Sequence, residues 1–171
     1  MIKATVKLIS ALNGNVKKSQ IAAGFAWGFV LGLVPAGNFF WIVLFFISFF
    51  FKHNHGSKLF SMAILKILSP AIAPLVDLLG WEVLHIAALQ PLFTSLYNMP
   101  FVPFTKFNNT LVAGGIVGGV LLCIPVFLLF MALIPLYRKT IAVKIRNSKA
   151  IKFITKLPVF SLIDKAISKG I

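Results

Sequence analysis

Residues Ile21 to Phe51 read IAAGFAWGFVLGLVPAGNFFWIVLFFISFFF and carry no charge. As one straight helix this stretch would be about 46 Å long, which exceeds the roughly 30 Å of hydrocarbon in a bilayer. It is interrupted at Pro35-Ala36-Gly37-Asn38, where proline ends or kinks a helix and Gly-Asn favours a turn or cap. Each flank is too short to span by itself. We therefore predict a re-entrant hairpin, or two short, steeply packed helices, shielded from lipid by other segments.

The rest of the apolar sequence falls into two further blocks. Residues 59–91 contain Ser69-Pro70 and Pro74, two prolines four residues apart, which predicts a second broken segment. Residues 111–137 are uncharged and long enough for a full span, with a kink predicted at Pro125. Between these blocks, residues 92–109 are rich in proline, asparagine and aromatic residues, which indicates an interfacial connection.

The composition of the whole chain supports a membrane protein. Of 171 residues, 59% are hydrophobic and only 12% are charged, against roughly a quarter charged in soluble domains. The three acids leave little material for a paired-carboxylate hydrolase, and the single cysteine, Cys123, excludes disulfide frameworks and multi-cysteine metal sites. We predict an all-α integral membrane protein with short Gly/Pro-broken helices, one long kinked transmembrane helix, and amphipathic interfacial helices at both ends.

The positive charges are concentrated at the two ends of the chain. Residues 1–20 and 138–171 hold 13 of the 17 lysines and arginines, so both termini are expected in the cytoplasm. This gives an interfacial helix at 1–18, a transmembrane domain at 19–137 and a basic amphipathic tail at 138–171. The residues expected to contact anionic headgroups are Arg138, Lys139, Lys149, Lys152 and Lys156. Nucleic acid is not an expected partner, because the tail interleaves lysine with isoleucine and phenylalanine beside a span.

Two topologies satisfy this charge distribution. In the favoured one, residues 21–51 return to the cytoplasm, because the loop 52–58 is basic, and residues 59–91 cross once in broken form. In the alternative, the first block crosses and the second re-enters from outside.

The broken segments and the ionisable residues near them are the candidate functional features. Broken ends leave helix termini and carbonyls free to hold a headgroup, an ion or water, so we expect a ligand or lipid groove; packing breaks without a ligand are the alternative. Four ionisable residues lie in the second block. Lys66 and Asp77 could pair across the prolines, Asp77, Glu82 and His85 could form a proton relay or coupling site, or Glu82 and His85 could lie at the interface beside Trp81. The groove residues are Pro35, Gly37, Asn38, Ser69, Pro70 and Pro74; the charge cluster is Lys66, Asp77, Glu82 and His85.

Glycines recur at helical spacing in both apolar regions. Such ridges allow close helix approach, either within the chain or in a homo-oligomer or another membrane protein. They are Gly24, Gly28, Gly32, Gly114, Gly115, Gly118 and Gly119. No metal, cofactor or catalytic motif is indicated: His53 and His55 lack further ligands nearby in sequence, and no nucleophile or phosphate-loop signature occurs, so an enzyme is not expected.

Two stretches carry a resemblance to a known family. GFAWGFVLGLVPAGN and ILKILSPAIAPLVDLLGWEVL, within about residues 19–90, resemble the bacterial inner-membrane family DUF2062, although Ser69-Pro70 stands where that family has Asn-Pro. The resemblance implies a bacterial inner-membrane location and a broken-helix architecture. The paired re-entrant interpretation also resembles DedA-type lipid-handling proteins at the level of fold.

Three functional hypotheses follow from these features. The first is a protein with a lipid-accessible groove that assists phospholipid movement or hand-over, with a larger membrane or periplasmic partner or a second copy of the chain. The second is a non-catalytic membrane scaffold or assembly subunit. The third is a small proton-coupled transporter that uses the intramembrane acids.

Overall fold

A computed structural model of the chain describes the backbone of residues 16–147 and the side chains of residues 16–140. Within these residues the chain is helical and contains no strand. The helices are α1 (Lys18–Leu33), α2 (Phe39–Ile47), α3 (His55–Leu84), α4 (Gln90–Tyr97) and α5 (Thr110–Asn147), and short 3-10 turns lie at Ser48–Phe50, Ala87–Leu89 and Val102–Thr105. The described residues form two compact units that divide after Ala132.

Helices α1 and α2 form a hairpin that returns to the level at which it began. The chain leaves α1 at Val34 and starts α2 after Asn38, so the interruption predicted at residues 35–38 is present. After the 3-10 turn, the backbone N–H of Asn54 donates to the carbonyl of Gln20 at 2.9 Å. The loop after the hairpin therefore lies beside the first turn of α1. We call residues 18–51 the hairpin and residues 35–38 its tip.

The second predicted break is wrong. Helix α3 runs without interruption from His55 to Leu84 and contains both Pro70 and Pro74. A proline removes one helical hydrogen bond, but ending the helix would leave several more backbone groups without partners, which is costlier in an apolar surrounding. The interruption in the block 59–91 comes instead after Leu84, followed by the turn at Ala87–Leu89.

Helices α1 and α3 run parallel and in close contact, because three glycines of α1 face α3. A Cβ on Gly24 would collide with Ser57, and one on Gly28 would collide with the carbonyl of Lys58. At Gly32 it would lie 2.6 Å from the Cβ of Leu65. The hydroxyls of Ser57 and Ser61 donate across this contact to the carbonyls of Ile21 and Phe25, at 3.0 and 3.1 Å.

Helix α5 begins at Thr110 and runs antiparallel to α1 and α3. A Cβ on Gly114 would collide with the carbonyl of Val76, so α3 and α5 touch through their backbones. Gly115 and Gly119 then meet Val34 and Val30 of α1, and the rings of Phe25 and Phe130 stack 3.8 Å apart. The connection through α4 therefore lies at the opposite end from the loop that follows the hairpin.

Among the residues that the structure describes, two helices are long and apolar enough to cross a membrane: His55–Leu84 and Thr110–Thr140. Their most apolar windows are only 6% and 11% buried within the chain, whereas core helices of soluble proteins are mostly buried. Large apolar side chains are likewise exposed along α2 and the 3-10 turn that follows it: Phe46 is 62% and Phe50 87% exposed. Exposed apolar surface of this extent is typical of a protein that lies in lipid.

Candidate functional site

A cluster of buried polar side chains lies where the hairpin returns to α3. We call His53, Ser48, Ser57, Lys58 and Ser61 the basal cluster. All five are buried, and Ser48, Ser57 and Lys58 are 0 to 1% exposed. The positions follow from the helices: Ser48 ends α2, His53 lies in the following loop, and the other three lie in the first two turns of α3. Asn54 caps that helix by accepting a hydrogen bond from the backbone N–H of Ser57 at 2.9 Å.

Lys58 is the central charge of the basal cluster. Its ammonium group donates to the Ser48 hydroxyl at 2.8 Å, and that hydroxyl in turn donates to the carbonyl of Phe45 at 2.6 Å. The Nζ atom also lies over two aromatic rings, 4.0 Å from the centroid of Phe49 and 4.9 Å from that of Phe45. Cation–π contacts and the negative end of α2 both stabilise a positive charge at this position.

No carboxylate compensates Lys58 within the described part of the chain. The two acids there, Asp77 and Glu82, lie on the same helix 19 and 24 residues further on. At 1.5 Å per residue, these separations place them about 28 and 36 Å away. Within residues 16–140, the groups that stabilise the positive charge are therefore a hydroxyl, two aromatic rings and the dipole of α2.

His53 is the second unusual group of the basal cluster. It is 9% exposed, and neither ring nitrogen has a hydrogen-bond partner. Its ring lies 4.7 Å from that of His55 and 6.4 Å from that of Trp27. Burial, the positive charge of Lys58 and the neighbouring His55 lower the pKa of His53 from 6.5 to about 4. His53 is therefore neutral at physiological pH.

The hairpin tip has its own set of polar contacts. Pro35 has no N–H to bond the carbonyl of Leu31, and the indole N–H of Trp41 donates to that carbonyl at 2.9 Å instead. Asn38 accepts from the backbone N–H of Trp41 at 2.7 Å and donates to the carbonyl of Pro35 at 2.7 Å. Gly37 adopts a positive φ of 88°, which a side chain would strain.

Lys66 completes the tip by donating to the carbonyl of Val34 at 2.5 Å. The prediction that Lys66 pairs with Asp77 is therefore wrong. The two residues lie 11 positions apart on a continuous helix, about 16 Å along its axis, so no fold about the prolines brings them together. Lys58 and Lys66 thus play matching roles, since each places an ammonium group at the carboxyl end of one hairpin helix.

The predicted groove residues do not form two facing broken ends. Pro35, Gly37 and Asn38 lie at the tip as expected, but Ser69, Pro70 and Pro74 lie inside α3. The tip therefore contains a helix break, at which the carbonyls of Leu31, Val34 and Pro35 accept hydrogen bonds from side chains, and the second site contains no break.

The other members of the predicted charge cluster lie at separate places on α3. Asp77 accepts a hydrogen bond from the hydroxyl of Thr110 at the start of α5. Glu82 is exposed. His85 stacks on Trp81 with ring centroids 4.2 Å apart, and its Nδ1 lies 2.8 Å from the carbonyl of Trp81.

Both glycine ridges are occupied inside the chain, one by α3 and the other by α3 and the end of α1. Within the described residues no group of three or more potential metal ligands occurs. Of the predicted headgroup contacts, Arg138 and Lys139 lie in α5, whereas Lys149, Lys152 and Lys156 lie outside the described residues, as do most of segment 1–18 and the tail from residue 148.

Sequence reasoning missed Lys58, Ser48 and His53 as a unit. Lys58 belongs to a loop that reads as basic and solvated, and nothing in its local pattern indicates burial. One signal was present: Ser57 and Ser61 repeat the spacing of Gly24 and Gly28, which fits a small-residue contact between two helices.

Comparison with known proteins places this architecture in a family. An uncharacterized protein of Treponema pallidum (strain Nichols) is 31% identical over 159 residues, which cover 93% of this chain and 98% of the relative. The chain belongs to the same family as this treponemal protein. No protein-family model matches the chain, and no solved structure matches it. The relatedness extends over nearly the full length of both proteins, so it includes the hairpin, α3 and α5 alike.

Proposed function

We propose that this protein is a non-catalytic bacterial inner-membrane protein whose re-entrant hairpin assists the movement or hand-over of phospholipids, together with a larger membrane or periplasmic partner. The observation that carries the proposal is the return of the hairpin to its starting level, where Asn54 bonds Gln20. The resemblance to the DUF2062 family is part of the same proposal.

The dimensions of the hairpin supply the mechanism. Helix α1 has 16 residues and is therefore about 24 Å long, several ångströms less than the hydrocarbon thickness of about 30 Å. A protein element shorter than the bilayer thins it locally. The polar groups of the tip would then lie within the thinned region, where they lower the cost of bringing a lipid headgroup inward.

The distribution of charge supports the orientation. Lys17, Lys18 and Lys52 are exposed at the base of the hairpin, and the end that contains α4 has Lys106 as its exposed lysine. By the positive-inside rule the base faces the cytoplasm, with both termini on that side. In a background that lacks Cys123, a cysteine in place of Lys52 should react with a membrane-impermeant reagent only from the cytoplasmic side, and one in place of Asn98 only from outside. Labelling of both from one side would contradict this topology.

The proposed activity can be tested in vesicles of phosphatidylethanolamine and phosphatidylglycerol that contain a fluorescent phospholipid. Addition of dithionite bleaches the outer leaflet, and lipid movement exposes the inner leaflet to the same reagent. We expect faster bleaching with the purified protein, or with the protein and a co-purified partner, than in empty vesicles. Rates equal to those of empty vesicles in both cases would refute the proposal.

A pair of variants separates the tip from general charge effects. Lys66→Met leaves the carbonyl of Val34 without its donor, and a charge-assisted hydrogen bond is worth about 1.5 to 3 kcal/mol. If this bond stabilises the tip during lipid movement, its loss should raise the activation free energy by about 1.4 kcal/mol or more, which lowers the rate about tenfold or more. Lys52→Met removes the same charge from an exposed position, so its rate should match that of the wild type. Equal rates for the two variants would exclude the tip from lipid movement.

The two other hypotheses receive less support. A scaffold that docks through its glycine ridges would need those ridges exposed, and they are buried within the chain. A proton-coupled transporter would need clustered ionisable groups, and Lys66, Asp77 and His85 each bond to a different partner.

A further inference from the structure

The end of the molecule opposite the basal cluster contains an open cleft with a volume of about 370 Å³. It lies between the last turn of α3, helix α4 and the start of α5. We call it the distal cleft; Leu84, Tyr97, Asn98 and Asn108 lie around it. Its volume falls in the range of about 300 to 1,000 Å³ that is typical of small-molecule sites.

An apolar trough of about 150 Å³ adjoins the distal cleft. The two hollows share Leu84, Phe93 and Phe107, and the trough continues between α3 and α5 to Val117. Apolar side chains alone line it. A volume of this size holds a group about as large as benzene, which corresponds to the first few carbons of an acyl chain.

The polar side chains of the distal cleft divide into two sets. Gln90 donates to the carbonyl of Leu84 at 2.5 Å, and Thr94 donates to the carbonyl of Gln90 at 2.9 Å, so these two side chains stabilise the wall. The side chains of Tyr97, Asn98 and Asn108 make no hydrogen bond to any part of the chain that the structure describes. They offer a hydroxyl and two amides to a bound molecule.

The cleft carries little charge. No lysine, arginine, aspartate or glutamate lines it, and its titratable side chains are His85 and Tyr97. Asp77 faces it indirectly by accepting a hydrogen bond from the hydroxyl of Thr110, which is one of the lining residues. A ligand with a net charge would find no countercharge among these groups, whereas one with hydroxyl, amine or carbonyl groups would find matching partners.

We propose that the distal cleft and its trough bind a membrane lipid whose head forms hydrogen bonds but has no net charge. The head lies among Tyr97, Asn98 and Asn108, and the first carbons of one acyl chain lie between Phe93, Phe107 and Val117. The rest of the chain stays in the bilayer, which this position at the end of two membrane-crossing helices allows. The inference rests on the proposed function only in that the protein lies in a phospholipid bilayer.

Lipid retention tests the proposal. The full-length protein is reconstituted with equal amounts of phosphatidylethanolamine, which has no net charge, and phosphatidylglycerol, which is anionic. It is then re-extracted in detergent, washed, and analysed by mass spectrometry for lipid retained per chain. We expect about one phosphatidylethanolamine per chain, in clear excess over phosphatidylglycerol. Equal retention of both lipids, or an excess of phosphatidylglycerol, would overturn the proposal.

Matched variants locate the bound lipid. Asn98→Ala with Asn108→Ala removes two amides that would form hydrogen bonds with the head, and we expect retention to fall on the order of tenfold or more. Ser95→Ala changes an exposed residue of α4 outside the cleft lining and should retain lipid as the wild type does. Unchanged retention in the double variant would contradict the site. Tyr97→Phe removes a single hydroxyl and should lower retention severalfold, so it decides the question if the double variant does not fold.

The outcome is separable from that of the proposed function. If the wild-type protein retains the neutral-headed lipid but moves no lipid between the leaflets of the vesicles, the hairpin mechanism is refuted and the proposed lipid site in the distal cleft is still supported. If the protein moves lipid but retains none, only the proposal that the distal cleft binds a lipid is refuted.

Discussion

The hairpin and α3 both contain proline within an apolar sequence, and only the hairpin is interrupted. At the tip, three carbonyls near the break each accept a hydrogen bond from a specific side chain: Leu31 from Trp41, Val34 from Lys66, and Pro35 from Asn38. Around Pro70 and Pro74 the sequence offers Ser, Ala and Ile, with neither glycine nor asparagine between them.

The difference shows what a helix break in an apolar sequence requires. Proline removes one donor in both places, but a break also needs a residue that tolerates positive φ, a cap for the next helix and side chains that reach the freed carbonyls. Gly37, Asn38, Trp41 and Lys66 meet these needs at the tip. Where such residues are absent, the helix continues through the prolines. The loss of one backbone hydrogen bond at a proline costs less free energy than the loss of all the hydrogen bonds of a helical turn.

The largest expected effect comes from separating the hairpin from α3. Gly28→Leu would place a side chain against the carbonyl of Lys58 and 2.7 Å from the Cβ of Ser61, where backbone atoms cannot yield. We expect a loss of about 3 kcal/mol or more, seen as a much lower melting temperature in detergent or as failure to fold. Ala23→Leu, at a half-buried position of the same helix, is the control. Similar melting temperatures for both variants would contradict the observed contact.

The next effect concerns pH and the base of the hairpin. Unfolded His53 takes up a proton below about pH 6.5, whereas the folded form stays neutral until about pH 4. The unfolded state thus binds more protons in this pH window. The contribution of neutral His53 to the free energy of unfolding is therefore complete above pH 6.5 and is lost as the pH falls to about 4. At about 1.4 kcal/mol per pKa unit the loss is roughly 3 kcal/mol.

Melting temperatures measured from pH 7.5 to 4 check this expectation. His53→Phe should flatten the acid side of the profile, because no imidazole is then left to titrate in the buried loop. An identical acid slope in His53→Phe would exclude His53 as its cause.

A smaller effect tests how Lys58 is held. Ser48→Ala removes the hydroxyl that accepts from the buried ammonium group, and a hydrogen bond to a charged group is worth about 1.5 to 3 kcal/mol. In a Lys58→Met background the same serine substitution should cost markedly less, because no buried charge is then left without its partner. A double-mutant cycle with no coupling energy would show that the two side chains act independently.

The smallest effects sharpen the comparison of the two proline regions. Asn38→Ala removes the cap of α2 and the bond to Pro35, and we expect a loss of about 1 to 2 kcal/mol. Ser69→Ala, next to Pro70 in the continuous helix, should stay within about 0.5 kcal/mol. Equal losses in the two variants would mean that Ser69 serves α3 as Asn38 serves the tip.

Much of the architecture could be predicted from local sequence. The interruption at Pro35 to Asn38 and the long helix over residues 111–137 follow from the run of apolar residues and the turn-forming residues that punctuate it. The continuity of α3 could not be predicted in this way, because the choice between a kink and a break depends on donors supplied from elsewhere in the fold. The kink at Pro125 and the re-entrant placement of the hairpin stay predictions.

The polar site was harder to predict than the helices. Lys66 was identified as an unusual intramembrane charge, but its partner proved to be a carbonyl 32 residues away and not the nearest acid in sequence. Lys58 and His53 gave no local signal, since their burial results from the return of the hairpin over α3. Contacts of this kind depend on the packing of three helices, which a single sequence does not encode in any short pattern.

The contact between α1 and α3 also bears on how the protein is made. Ser57 and Ser61 each bond a carbonyl of α1 that was synthesised 36 residues earlier. The glycine face of α1 thus leaves the ribosome well before the serines that cover it. During that interval the carbonyls of Ile21 and Phe25 lack the hydrogen bonds that Ser57 and Ser61 later donate. We expect the insertion machinery to hold α1 and α2 until α3 emerges, so that assembly of the native chain waits on its third helix.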